Sequence, residues 1–568
     1  MSASTTDFPA GPGSASFADS AGSGPSARPA TAGVADWFST PRHFYISLTV
    51  VALIIGAVSL LVPSTPSYDP WSWLLWSREI VHGSLTITTG GTSWKPLPMI
   101  FTIPFALFGK AAPDLWLVVA RAGAFAAVVM VFRLSYRLTR RVGGVFAGAD
   151  VPLGRLATIA PALLAGLIGA VSLALSASGG FVSSNALGYS EGFAAALLLI
   201  AVERLFDGKP RQAFVVGFFV ALDRPEIWLF WGPLGLWLMW KDPATRVWVV
   251  GSALLVILLW FVPVDIGCGS FTCSVSRAVH PRSNSLAFAS NPFEAELSQA
   301  AWPTMLLRVK VVAALLVVAV VVVLSREWRR GGAAALATPV NRARLFAALM
   351  GVGGLAWFVV IAVMTQIGFS GNNRYLVLGS ALVDICAAVG YGWAAIELSA
   401  LASRWLHGRD RDRTGPSPLM GALRWAATGL LALVFVIGPN WIGSNLISIP
   451  RTHGSLVYQA HLRRGMTALV DHFGGASKVL ACGSVMTEGF QVPMVAWTLN
   501  VPTTRIEAPP TNGGAKYPEP GSAAPNVILQ TRDTRSASLL PLLSTWPSVR
   551  YHYVGTAGPI HMFTNCAS

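Results

Sequence analysis

Residues 44–62 read "FYISLTVVALIIGAVSLLV", an unbroken apolar run without a single charged side chain. A helix of about 20 such residues covers the roughly 30 Å of hydrocarbon in a bilayer. Lipid offers no hydrogen-bond partner to bare backbone, so the run has one stable form there, a spanning helix. The rest of the chain repeats the pattern: of 568 residues, 53% are hydrophobic, 12% are charged and 21 are tryptophan. Such a composition belongs to polytopic membrane proteins. The formal net charge of +15 would suggest nucleic acid in a soluble protein. Here most basic residues beyond the N-terminal tail sit in short loops between apolar runs, which sets orientation and leaves membrane lipids, not nucleic acid, as the expected surroundings.

Further spans are expected near 114–135, 156–175, 191–206, 246–264, 304–325, 345–366, 375–398 and 419–438. Basic clusters close alternate ends, at Arg137, Arg140 and Arg141, at Lys209, Arg211 and Lys241, at Arg326, Arg329 and Arg330, and at Arg404 and Arg409. Their alternation puts the N-terminus in the cytoplasm and the C-terminal region outside. Between Arg211 and Lys241 lie two apolar pieces, "AFVVGFFVAL" and "IWLFWGPLGLWLMW", joined by "DRPE". The first, at 212–222, rises only about 16 Å, roughly half the hydrocarbon thickness. The pair reads as a hairpin whose tip, Asp223-Arg224-Pro225-Glu226, lies at membrane depth, where charges persist only when paired or facing a watery cavity. A re-entrant hairpin gives about nine spans and two short helices give about eleven.

The expected organisation is a disordered cytoplasmic tail at 1–42, a transmembrane module at 43–438 with a first outer loop at 63–113, and an extracytoplasmic domain at 439–568. The tail is Ser/Ala/Gly/Pro-rich and lacks the basic and apolar regions of a signal peptide. The fold class is mainly α, a polytopic helical bundle with outer juxtamembrane helices and a small C-terminal α/β domain. In that domain 458–473 reads as an amphipathic helix, "KVLACG", "NVILQT", "RYHYVG" and "IHMFTN" as strands, and the Gly/Pro-rich 508–525 as a mobile loop. Of five cysteines, Cys386 lies in an apolar run. Cys268, Cys273, Cys482 and Cys566 fall outside the cytoplasm and pair most simply as Cys268 with Cys273 and Cys482 with Cys566. No second Cys or His pair follows Cys268 and Cys273 to complete a metal site.

No nucleotide loop, serine-hydrolase elbow or zinc-protease motif is present. Charged residues gather instead at the outer ends of spans. "YDPWSWLLWSREIVHG" (68–83) carries Asp69, Arg78 and Glu79. Asp69 before Pro70 reads as a helix N-cap, and a cap at a bilayer surface also holds its carboxylate towards whatever binds there. "SWKPLPMIFTIPFALFG" (93–109) puts Lys95 before an apolar piece too short to span. Lys95 there either snorkels to headgroups or faces a lipid phosphate. Glu191 in "GYSEGF" and Arg374 in "GNNRYL" sit at outer span ends, Arg374 against the inside bias. Arg308 and Lys310 break that bias too and read equally as lipid anchors or anion ligands.

In order and content, 68–83 followed by "WKPLP" (94–98) resembles the GT-C superfamily of polytopic glycosyltransferases. It is similar in particular to the polyprenyl-phosphate-sugar-dependent family of protein O-mannosyltransferases and the aminoarabinose transferase of lipid A. That family has an acidic residue in the first outer loop, a juxtamembrane helix ending in a basic/Gly stretch, and a "KPPL"-like motif before a second juxtamembrane helix. The resemblance covers about 44–400; Asp69-Pro70 stands where the family often has Asp-Glu, and Lys95-Pro96-Leu97 where it has Lys-Pro-Pro. It implies inverting transfer of a sugar from a polyprenyl phosphate to a hydroxyl of a glycan, lipid or protein at the outer face; because the second acid after Asp69 is missing, no metal is expected. Asp69 would be the general base, and Lys95 and Arg374, with Arg224 behind them, would stabilise the leaving phosphate. Glu191, Glu226, Arg78 and Glu79 are the remaining candidate substrate-binding residues.

Two other classes fit part of the pattern. A secondary transporter also carries charges at membrane depth and broken helices, but it is expected to show internal repeats, and none is evident. A non-catalytic scaffold for cell-envelope assembly would need Asp69 only as a cap.

Overall fold

The structure, a computed structural model, describes residues 40–87, 92–143, 152–175, 180–279, 281, 285–301, 304–407, 418–437, 449–508, 523–531 and 546–566. The tail at 1–39 and most of the 508–525 insert lie outside the described residues. Of the described residues, those up to Val50 belong to one unit and those from Val51 onwards to a second.

Among the described residues, eight helices are long and apolar enough to cross a membrane: Pro41–Leu61, Gly109–Val142, Leu156–Ala174, Pro243–Cys268, Val309–Leu336, Pro339–Gln366, Asn373–Leu406 and Leu419–Val436. Gly180–Ala186 and Glu191–Phe206 together make a ninth candidate, bent by 110° at its break. The bend has local causes. Gly188 takes φ +89°, a backbone region closed to most side chains. Its carbonyl accepts from Trp116 Nε1 at 2.7 Å, and Asn185 Oδ1 accepts the Gly192 N–H at 2.8 Å, so the freed backbone groups stay paired. The 191–206 stretch expected to span alone is therefore half of a broken element.

The hairpin forms helices Pro210–Ala221 and Trp228–Lys241, too short to span singly. Its turn is closed by backbone: Asp223 N and Arg224 N both donate to Val220 O at 3.0 Å. Trp228 Nε1 (3.0 Å) and Trp260 Nε1 (2.9 Å) donate to the last helical carbonyl, Ala221 O. Two further short helices, Tyr68–Val81 and Pro96–Ala106, pack on each other at the same end of the bundle. "SWKPLP…" is thus a short helix entered at Lys95, and Leu97 N donates to Leu222 O at 3.0 Å, joining that entrance to the hairpin turn.

The C-terminal region carries a five-stranded sheet in the order β2-β1-β3-β5-β4. Its strands are β1 Val485–Thr487, β2 Ile506–Glu507, β3 Val527–Thr531, β4 His552–Ala557 and β5 Ile560–Thr564. β1 pairs parallel with β2 and β3, while β5 pairs antiparallel with β3 and β4. "NVILQT", "RYHYVG" and "IHMFTN" supply β3, β4 and β5. "KVLACG" does not form a strand; it lies in the helix Ala476–Cys482, whose Val479 is buried. A short apolar run has no period that separates helix from strand, and here helical packing decides. The helix Ile449–His472 covers β4 and β5. Cys268 is bonded to Cys273 and Cys482 to Cys566.

Candidate functional site

The first short helix begins at Tyr68, with Ser67 as its N-cap. Ser67 N donates to Leu187 O at 2.9 Å, anchoring that start to the break of the bent helix. Asp69 is consequently in the first turn and not the cap, correcting the sequence reading. Its carboxylate faces a cavity instead of closing its own helix, although the helix N-terminus still favours its charge.

Asp69 is 4% exposed, and its Oδ2 accepts from Arg374 Nη2 at 2.6 Å. The same guanidinium donates through Nη1 to Glu191 Oε1 at 3.1 Å and stacks 4.1 Å from the Tyr189 ring. Glu191, fully buried at the start of its helix, also accepts from Arg224 Nη2. Arg224 in turn lies 4.4 Å over Tyr375. Lys95 Nζ donates to Ser190 Oγ at 3.2 Å and stands 3.8 Å from Glu191 and 3.9 Å from Asp223. It also sits 5.4 Å from the Trp73 ring. These are inward partners; the snorkelling reading of Lys95 is set aside.

Three cations and four carboxylates (Asp69, Glu191, Asp223 and Glu226) therefore converge from separate parts of the chain. Burying charge is tolerated because each is matched within a network. Asp69, Lys95, Asp223, Arg224, Glu226 and Arg374 line a cavity of about 1130 Å³. Its lining also includes apolar side chains, with Leu229, Trp260, Phe261, Val359 and Met364 on the bundle side, and Tyr68 and Phe490 at 5.4 Å edge to face on the sheet side.

The turn just before Arg374 is held by an outlying helix, Pro292–Ala301. Gln299 Nε2 donates to Gly371 O at 3.1 Å and to Glu296 Oε2 at 3.2 Å. Gly371 has φ +56°, and a Cβ there would lie 2.6 Å from Thr365 Cγ2 and 2.8 Å from Glu296 Oε2, so the turn requires glycine. Burial pushes the Glu296 carboxyl up to about 7.

Arg78 and Glu79 are not on this cavity. Arg78 donates to Trp497 O at 3.0 Å and Ala496 O at 3.4 Å, and lies 4.7 Å over the Trp497 ring. It thereby caps the helix Val492–Leu499 and fastens the sheet region to the first short helix. Glu79 Oε2 accepts from Thr86 N at 2.8 Å. Burial pushes this carboxyl up to about 7, against the Thr86 hydrogen bond and the Arg78 charge.

Lys310 lies 5.6 Å over the Phe358 ring. The Arg308 side chain falls outside the described residues. Sequence reasoning did not select Asp223, Tyr189 or Tyr375. The tyrosines adjoin selected charges in "GYSEGF" and "NNRYL", which is the signal that was available. Among the described residues no three His, Cys, Asp or Glu side chains group as a metal site.

One charged cavity thus lies at the end of the bundle that carries the C-terminal sheet. In overall course the chain is similar to ArnT. Two solved structures of ArnT from Cupriavidus metallidurans, one bound to undecaprenyl phosphate and one in the apo state, match it with TM-scores of 0.48 each. They are 13% and 14% identical to it, cover 93% and 92% of this chain, and are themselves covered to 99% and 98%. No protein-family model matches the sequence, and no curated protein is significantly similar to it.

Proposed function

We propose that the protein is an integral membrane glycosyltransferase that moves a sugar from a polyprenyl-phosphate donor to an acceptor hydroxyl. The observation that carries this is the convergence of Lys95, Arg224 and Arg374 with Asp69 in one cavity whose bundle side is apolar. A lipid phosphate needs fixed cations, its tail needs an apolar wall, and the acceptor needs a carboxylate beside both. The end bearing the C-terminal sheet would face outwards, as the basic loops suggest.

In this reading the acceptor hydroxyl attacks the anomeric carbon from the side opposite the phosphate, and the configuration inverts. Asp69 takes the hydroxyl proton as the new C–O bond forms and the bond from anomeric carbon to phosphate oxygen breaks. The electron pair leaves on the phosphate. Arg374 occupies Asp69 Oδ2, which leaves Oδ1 for the proton and holds the carboxylate in one orientation. Charge growing on the phosphate is met by cations already in place, so little reorganisation is needed. Lys95, at the entrance of the second short helix, and Arg374 are the nearest candidates, with Arg224 behind them.

A broken helix whose second half starts at Glu191 is also a feature of secondary transporters, whose half-helix N-termini face anionic substrates. The two readings separate in cells lacking the protein. A transferase predicts accumulation of a lipid-linked sugar and loss of that sugar from one envelope glycan. An unchanged glycan profile, with altered uptake or export of a solute, contradicts it.

A further inference from the structure

The reaction as derived does not use Asp223 or Glu226, although both line the cavity. Asp223 is 0% exposed, and neither of its carboxylate oxygens has a hydrogen-bond partner among the described residues. Its nearest cations, Arg224 Nε at 3.8 Å and Lys95 Nζ at 3.9 Å, are close enough to offset its charge and too far to hydrogen-bond. Neither is free to close the gap. Lys95 is tied to Ser190, and Arg224 is held by Glu191 and stacked on Tyr375. Glu226 repeats the arrangement: Oε1 lies 3.9 Å from Arg224 Nη1, and the buried Oε2 is unpartnered among the described residues.

Buried carboxylate oxygens without donors are costly and uncommon, and where their residues line a cavity a ligand can supply the donor. Here charge is offset while hydrogen bonding is not. A fitting ligand therefore donates hydrogen bonds and brings no charge of its own at this point. Hydroxyl groups do that. A uronate carboxylate would be repelled by both acids, and an amino sugar would meet Lys95 and Arg224.

We propose that Asp223 and Glu226 form the donor-sugar subsite, accepting hydrogen bonds from the hydroxyls of a neutral sugar. The proposal rests on the donor reading above. Through it the "DRPE" turn acquires a role in holding the sugar beside Asp69 while the cations hold its phosphate.

The test is a binding comparison on the full-length protein in lipid nanodiscs. The probes are undecaprenyl methyl phosphate, which carries the charge without the sugar, and undecaprenyl-phosphate-linked mannose, glucose, arabinose and glucuronate. The wild type should bind at least one neutral sugar lipid about tenfold more tightly than the methyl phosphate, the contribution of one or two hydrogen bonds to a charged group. In Asp223→Asn that preference should shrink to within about threefold, with methyl phosphate bound as well or better. Glu226→Gln gives the same readout should Asp223→Asn not fold. A preference that persists in both variants, its absence for every neutral sugar, or a preference for glucuronate overturns the proposal. Failure of the wild type to bind any of these lipids overturns it together with the donor reading.

Discussion

Arg374 Nη2 donates to Asp69 Oδ2 at 2.6 Å across 305 residues of sequence. The bond joins the first short helix to the first turn of the Asn373–Leu406 span, and Arg374 continues to Glu191 at 3.1 Å. One guanidinium therefore sets the position of the proposed base and of the carboxylate that orders the other cations. Its planar fork holds two acceptors in one fixed geometry, which the flexible, point-like ammonium of a lysine does not reproduce. Arg374→Lys is expected to keep the fold and lose transfer by about 10²-fold or more. Steady-state transfer with thermal unfolding as control checks this; activity within a few-fold of wild type contradicts it.

Lys95 is expected to act on donor affinity. Its ammonium is held by Ser190 between Glu191 and Asp223, at the mouth of the cavity. Lys95→Ala would remove the proposed charge-assisted contact to a lipid phosphate and should weaken undecaprenyl phosphate binding by about tenfold or more. Unaltered affinity would return Lys95 to a structural role.

Arg78 should matter for stability and not for donor binding. Arg78→Ala leaves the carbonyls of Ala496 and Trp497 without their charged donor, which costs about 2 kcal/mol. Limited proteolysis should then cut the 449–566 region sooner, with undecaprenyl phosphate affinity unchanged. Loss of affinity with normal protease resistance would restore Arg78 as a ligand contact.

Two buried acids away from the spans set a pH dependence. Glu79 and Glu296 are each pushed up to about 7 by burial, while an unfolded glutamate titrates near about 4.3. Between these values the native state binds more protons, so stability falls as pH rises from about 4.3 to about 7 and levels off above. Unfolding midpoints measured from pH 5 to 8 should show that decline, and the double variant Glu79→Gln, Glu296→Gln should flatten it. A double variant that keeps the full slope contradicts the assignment.

Much of the fold is legible because lipid is an unforgiving solvent. Runs such as 44–62 and 345–366 have one stable form there, and a charge such as Arg374 at an outer span end stands out against its surroundings. The hairpin is equally legible, since 212–222 is too short to span. What the one-dimensional pattern lacks is direction. Arg78 and Asp69 share a helix, yet one faces Trp497 and the other the cavity. Strands β1 and β2, of three and two residues, are too short to alternate visibly. Asp223 was in view within "DRPE", but that its oxygens lack donors is a property of the assembled walls.

The central claim is that Asp69 accepts the proton of the acceptor hydroxyl, and Asp69→Asn tests it most directly. In this variant Arg374 keeps its contacts to Glu191 and Tyr189, so the cation cluster persists. With full-length protein in nanodiscs and a polyprenyl-phosphate-linked sugar, the account predicts undecaprenyl phosphate binding within about threefold of wild type and transfer reduced by about 10²-fold or more. Transfer at the wild-type rate would contradict it.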